Sequence, residues 1–146
     1  MSTCSHLHLI FDRYKDYSIK SKTRSSRAGA ASREYQLSLD MPLPPQSVTL
    51  TGTRNKEQVI EFIVCELTKK VQDCKHPTSL LMTGKSLVPV EIKSGSTVMR
   101  QDLQTTHEEA DVIIPQQVMH LICCGCSCIR VICDDMDVFA LLLYFH

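Results

Sequence analysis

Hydrophobic and polar positions along this chain follow two periods, and the switches between them mark out the elements. From Thr53 onward, Val59, Ile60, Ile63, Leu67, Val71 and Cys74 recur at intervals of three and four. Lys56, Glu57, Glu61, Glu66, Lys69 and Lys70 fall mostly on the opposite side. That spacing predicts an amphipathic helix, opened by Thr53-Arg54-Asn55-Lys56 and ended by Pro77. His6-Leu7-His8-Leu9-Ile10-Phe11-Asp12 predicts a short buried strand ending in an acid. Ser79-Leu80-Leu81-Met82-Thr83-Gly84 predicts a second, closed by glycine. Val88-Pro89-Val90-Glu91-Ile92-Lys93 predicts an edge strand, since Pro89 cannot donate to a central ladder. Pro42, Pro44 and Pro45 preclude a helix in residues 36–50, which predict a connector with short extended pieces, and residues 94–103 predict a polar loop.

Further along, Thr105 or Thr106 can cap a helix, with Glu108 or Glu109 completing a capping box. Pro115 inside that helix predicts a kink or an early stop. Cys128-Ile129-Arg130-Val131-Ile132-Cys133 is a strong buried-strand pattern. The alternation of strand and helix predicts one α/β domain over residues 1–146, with a parallel sheet flanked by helices.

Composition adds a segregation of charge. The apolar fraction is 43%, the charged fraction 22% and the net charge zero, which argues against a simple polycation coating DNA or membranes. Residues 13–33 nevertheless carry seven basic side chains (Arg13, Lys15, Lys20, Lys22, Arg24, Arg27, Arg33) against one acid, Asp16. Residues 101–137 carry seven acids and one base, Arg130. A basic arm with Tyr14 and Tyr17 can meet phosphates and stack on bases, although charge runs also form plain solvated loops. The N-terminus has no apolar signal core, and the apolar run from Val138 to Phe145 is too short to span a bilayer. Eight cysteines are then expected as reduced thiols in an intracellular protein, nuclear or cytoplasmic.

Two clusters carry candidate chemistry. Cys123-Cys124-x-Cys126-x-Cys128 lacks the paired spacing of a zinc site, and alternation along a forming strand would send its thiols to opposite faces; small buried thiols are expected. The acids differ. Glu108-Glu109-Ala110-Asp111 and Asp134-Asp135-Met136-Asp137 both adjoin apolar segments, where carboxylates repel one another unless a cation lies between them. Helix capping accounts for one acid of the first cluster, and Asp12 also reads as a turn or cap residue. Asp12, Glu109 with Asp111, and Asp135 with Asp137 converge if their strands are adjacent and parallel, and hard divalent cations favour such oxygen ligands.

In this setting Glu109-Ala110-Asp111 resembles the Glu-Ala-Glu segment of flap-endonuclease-type enzymes in the PIN-like nuclease superfamily. Asp134-Asp135-Met136-Asp137 resembles their Glu-Asp-Met-Asp strand end. Phe11-Asp12, followed by Lys20, Lys22, Arg24 and Arg27, is similar to their Phe-Asp-Gly strand end with its basic segment. The wording also looks like mobile-element-associated (transposon-associated) animal proteins that carry a PIN-like domain. The resemblance touches about residues 7–30 and 105–145. It implies a Mg²⁺- or Mn²⁺-dependent hydrolase of phosphodiester bonds in structured or branched nucleic acid, DNA before RNA. Asp12, Glu109, Asp111, Asp135 and Asp137 would be the catalytic metal ligands, with Glu108 and Asp134 supporting them or capping. Helical spacing also allows Glu108 to share a face with Asp111 in place of Glu109. Arg13, Lys15, Lys20, Lys22, Arg24 and Arg27 would contact nucleic acid. Family members begin with an earlier aspartate-bearing strand and continue past the Asp-x-Asp strand; this chain has eleven residues before Asp12 and nine after Asp137. A domain truncated at both ends, and inactive for that reason, is therefore one expectation. A non-catalytic nucleic-acid- or protein-binding module that keeps the sheet and basic arm is the alternative.

Overall fold

Ser79–Met82 is apolar except at its first residue, and all four residues are buried. The computed structural model, which describes residues 5–13, 34–38, 40–42, 44–50, 52–72, 78–93 and 95–144, sets this strand (β2) inside a four-stranded sheet. The order is β1 (His6–Leu9), β2, β3 (Val90–Lys93), β4 (Ser96–Met99). β1 runs parallel to β2, with His6 opposite Ser79 and Leu9 opposite Met82. β2–β3 and β3–β4 are antiparallel.

Side-chain alternation divides the sheet into two faces. Leu80, Met82 and Ile92 form one core with Leu9, and Val64, Leu67 and Val71 cover it from the long helix Thr53–Gln72. This helix is α2; α1 is the single turn Gln46–Thr49. Asn55 and Gln58 of α2 accept the Tyr35 and Leu37 N–H groups and so tie residues 34–38 to the helix. Leu81 points to the other face, towards helix α3 (Ala110–Cys123), which is joined to β1 through His8 and Gln117. Helix α4 (Met136–Tyr144) packs on α3, and Ile113 and Val138 are buried there. No helix among the described residues is long and apolar enough to cross a membrane.

Several elements depart from the sequence-based expectation. The sheet is mixed, with one parallel pair, because β3 and β4 form a tight hairpin. Lys93 pairs with Ser96, and Gly95 between them takes φ +79, a conformation glycine adopts without steric cost. β4 occupies part of the expected polar loop, which moves β3 from the edge to the interior. Pro89 precedes β3, so it removes no ladder bond within the strand. A helical turn follows Pro45 despite the prolines, since a proline just ahead of a helix costs no intrahelical bond. Helix α3 runs through Pro115 without stopping.

Cys128–Cys133 forms no strand. Helix α3 ends in a Schellman turn, in which Gly125 (φ +84) donates to the Ile122 carbonyl and Cys126 to that of Leu121. The chain beyond it is irregular, with Ile132 89% exposed. Residues 14–33, which include most of the basic arm, lie outside the described residues, as do residues 73–77 at the expected end of α2.

Candidate metal centre

The parallel pairing of β1 with β2 continues past the strand ends and delivers Asp12 to the site. The Thr83 N–H donates to the Leu9 carbonyl at 3.0 Å, and the Phe11 N–H donates to Thr83 Oγ1 at 2.8 Å. Thr83 is fully buried, so this hydroxyl replaces a ladder bond in the core. Asp12 follows, and its Oδ1 accepts the Ala110 N–H at 2.8 Å. Ala110 opens α3, whose N-cap residue, Glu109, makes no side-chain cap bond. Thr105 does not cap this helix: its Oγ1 accepts the His107 N–H at 3.2 Å in a local turn ahead of it.

Helix α4 starts in a similar way. Asp135 Oδ1 accepts the Asp137 N–H at 2.9 Å, and Cys133 Sγ accepts the Asp135 N–H at 3.4 Å. Two helix N-termini thus lie beside one acidic group, and their partial positive charge offsets some of its repulsion. One carboxylate oxygen from each of Asp111, Asp135 and Asp137 lies within 4.8 Å of the others. Asp135 and Asp137 are exposed and Asp111 is partly buried.

Asp111 is the least satisfied of the three. Its Oδ1 is buried without a hydrogen-bond partner. Burial, then the Glu109 charge, and also Asp135 and Asp12, push its carboxyl above the usual carboxylate range, against the Val112 N–H that pulls it down. Capping explains the placement of Asp12 and Asp135 but leaves this oxygen unexplained. A group of three carboxylates, one of them with a buried and unpartnered oxygen, is chemically suited to a hard divalent cation.

Of the five expected ligands, the fold brings Asp111, Asp135 and Asp137 together. Asp12 and Glu109 stand outside the triad, close enough for their charges to act on Asp111. Glu108 offers its carbonyl to the Arg13 N–H at 2.6 Å, and Asp134 is exposed beside the start of α4. Arg13, expected at phosphates, is 3% exposed and gives its guanidinium to main-chain carbonyls, so it is unavailable to nucleic acid. Lys15, Lys20, Lys22, Arg24 and Arg27 fall outside the described residues. Thr83 and Arg13 are the site-building residues that periodicity missed, because nothing in a pattern marks a buried threonine hydroxyl or a buried arginine.

At the far end of α3 a second polar group has a structural role. Arg100 donates to Glu91 at 2.5 Å, to both Asp102 oxygens at 2.8 and 2.6 Å, and lies 3.1 Å from His120 Nε2. Cys124 Sγ is 3.5 Å from the same nitrogen. Cys123, Cys124 and Cys128 are exposed and Cys126 is partly so, a correction to the expected buried thiols that follows from the missing strand. Among the described residues no metal-sized group of three side chains includes a cysteine. No family model, curated relative or solved structure matches this chain.

Proposed function

We propose that this chain is a PIN-like nuclease domain that hydrolyses phosphodiester bonds with Mg²⁺ or Mn²⁺. The observation that carries the reading is the buried, unpartnered Asp111 Oδ1 beside Asp135 and Asp137. Asp111, Asp135 and Asp137 would hold the ion, which supplies an activated water and charge neutralisation on the phosphate oxygens. Asp12 and Glu109, next to the triad, are the remaining acids available to orient that water or accept its proton. Lys15, Lys20, Lys22, Arg24 and Arg27 are the residues proposed to meet the nucleic-acid backbone, DNA before RNA.

One observation favours a second reading. Asp12 and Asp135 already serve as helix caps, so the acids have a structural use without any ion. A non-catalytic module binding nucleic acid or protein fits that use. The test is incubation of the purified protein with branched DNA and with single-stranded RNA, with Mg²⁺, with Mn²⁺ and with chelator, alongside Asp135→Asn. Metal-dependent cleavage that Asp135→Asn abolishes is the expected result. A metal-dependent rise in melting temperature without cleavage moves the protein to the binding class, and no rise at all overturns the metal reading.

A further inference from the structure

Arg13 is 3% exposed, an unusual position for a guanidinium, which is costly to bury unless its donors are matched. Here every match is a main-chain carbonyl. Nε donates to Gly84 at 3.1 Å, Nη1 to Thr105 at 2.6 Å and His107 at 3.3 Å, and Nη2 to Leu87 at 3.2 Å. No ion pair to Arg13 forms among the described residues. The Arg13 N–H adds a fifth bond, to the Glu108 carbonyl at 2.6 Å.

These bonds gather three separate segments: the chain leaving β1, the connection that follows β2, and the segment that leads into α3. A planar fork of five donors can serve four carbonyls in fixed directions, whereas an ammonium offers three donors at a single point. Next to this knot lies the second link between the same segments, Asp12 Oδ1 to the Ala110 N–H. Arg13 with Glu108, and Asp12 with Ala110, form successive rungs that fix where α3 begins. The residue after Ala110 is Asp111.

We infer that Arg13 is a positioning residue for the acidic triad: it locks the entry to α3 so that Asp111 is held against Asp135 and Asp137. The inference rests on the metal-centre reading above and assigns that centre its support. Groups that orient metal ligands from behind are often worth 10- to 100-fold in metal affinity.

The test compares the wild-type protein with Arg13→Lys, which keeps the charge and loses the fork. Mn²⁺ affinity is read by the paramagnetic resonance of the free ion, and amide exchange is followed at Ala110–Val112 and at Leu80–Met82. Arg13→Lys should weaken Mn²⁺ binding by about tenfold or more and speed exchange at Ala110–Val112 while Leu80–Met82 stay protected. Unchanged exchange at Ala110–Val112, or faster exchange there with wild-type Mn²⁺ affinity, overturns the inference. If the wild type binds no Mn²⁺, the metal reading fails, and exchange alone then decides whether Arg13 positions α3. Should Arg13→Lys not fold, the wild type in mild urea supplies the same decision. The Arg13 and Ala110 amides should open together, and an Ala110 amide that exchanges while Arg13 stays protected overturns the clamp.

Discussion

The Asp12 carboxylate accepts the Ala110 N–H at 2.8 Å across 98 positions of sequence, so helix α3 is capped from the end of strand β1. This single bond ties the parallel pair to the start of the helix that carries Asp111. Asp12→Ala removes the acceptor and leaves a helix N–H unmatched, and it should cost about 1 kcal/mol, the usual value of a lost N-cap. Asp12→Asn keeps a side-chain oxygen and should retain most of that stability. Urea unfolding of the three proteins measures both differences; equal loss in the two variants would show that charge, not the cap bond, matters.

Asp111 should be a site where stability is given up for function. Its folded pKa is raised above 3.8, chiefly by burial and then by the Glu109 charge. A raised value favours the protonated form in the fold. The stability it contributes is therefore present below pH 3.8 and is lost as pH rises through the raised pKa. At neutral pH without metal, Asp111→Asn should melt above the wild type, and the gap should close as pH falls towards 3.8. Mg²⁺ should raise the wild-type melting temperature and leave that of Asp111→Asn unchanged. Melting curves across pH, with and without Mg²⁺, check the sign; a variant that melts below the metal-free wild type at neutral pH contradicts it.

What could be read in the residues, and what could not, separates along physical lines. Leu80–Met82 was legible as an unbroken apolar run, buried on both faces, and the helix bearing Leu67 and Val71 through its spacing of three and four. β4 was not, because all four of its residues are exposed and its Ser, Thr, Val and Met show no clear alternation. Residues 94–103 therefore read as a polar loop, and the positive φ of Gly95 that turns the chain back is a backbone property no apolar pattern records. Cys128–Cys133 misled in the opposite direction: β-branched residues raise strand propensity, yet Ile132 has no neighbouring strand to pack on and stays exposed. At the site, the two acidic segments were legible as a convergent group, of which the fold gathers Asp111, Asp135 and Asp137. The role of Arg13 was not, because a basic residue heading a run of basic residues reads as surface.

Arg100 anchors the polar group between the sheet and the C-terminal half of α3. Burial alone would raise the Glu91 pKa, but hydrogen bonds from Ser79 and Arg100, with the charges of Arg100 and Lys93, hold the carboxyl below its ordinary range. Arg100→Met leaves that partly buried carboxylate without its cation and should cost about 2 kcal/mol, the scale of a hydrogen bond to a charged group. Adding Glu91→Leu should recover much of the loss, since removing both partners leaves no unmatched charge. A double-mutant cycle by chemical denaturation measures the coupling. Additive losses would mean that Arg100 acts through Asp102 and His120.

His8 lies on the same side of the sheet as Glu91, with Nδ1 at 2.6 Å from Gln117 Oε1. Burial chiefly lowers its pKa below 6.5; His6 and Arg100 lower it further, while Gln117 and Glu91 work against the shift. The fold therefore favours neutral imidazole, and between the folded pKa and 6.5 the unfolded chain binds more protons. Stability is then complete above pH 6.5 and falls as pH drops through the folded pKa. His8→Gln keeps a polar partner for Gln117 and removes the titration. Its stability relative to wild type should rise steadily as pH is lowered from 6.5, with the remaining histidines and carboxylates common to both proteins. Parallel pH profiles for the two proteins would show that His8 titrates as freely in the fold as in the unfolded chain.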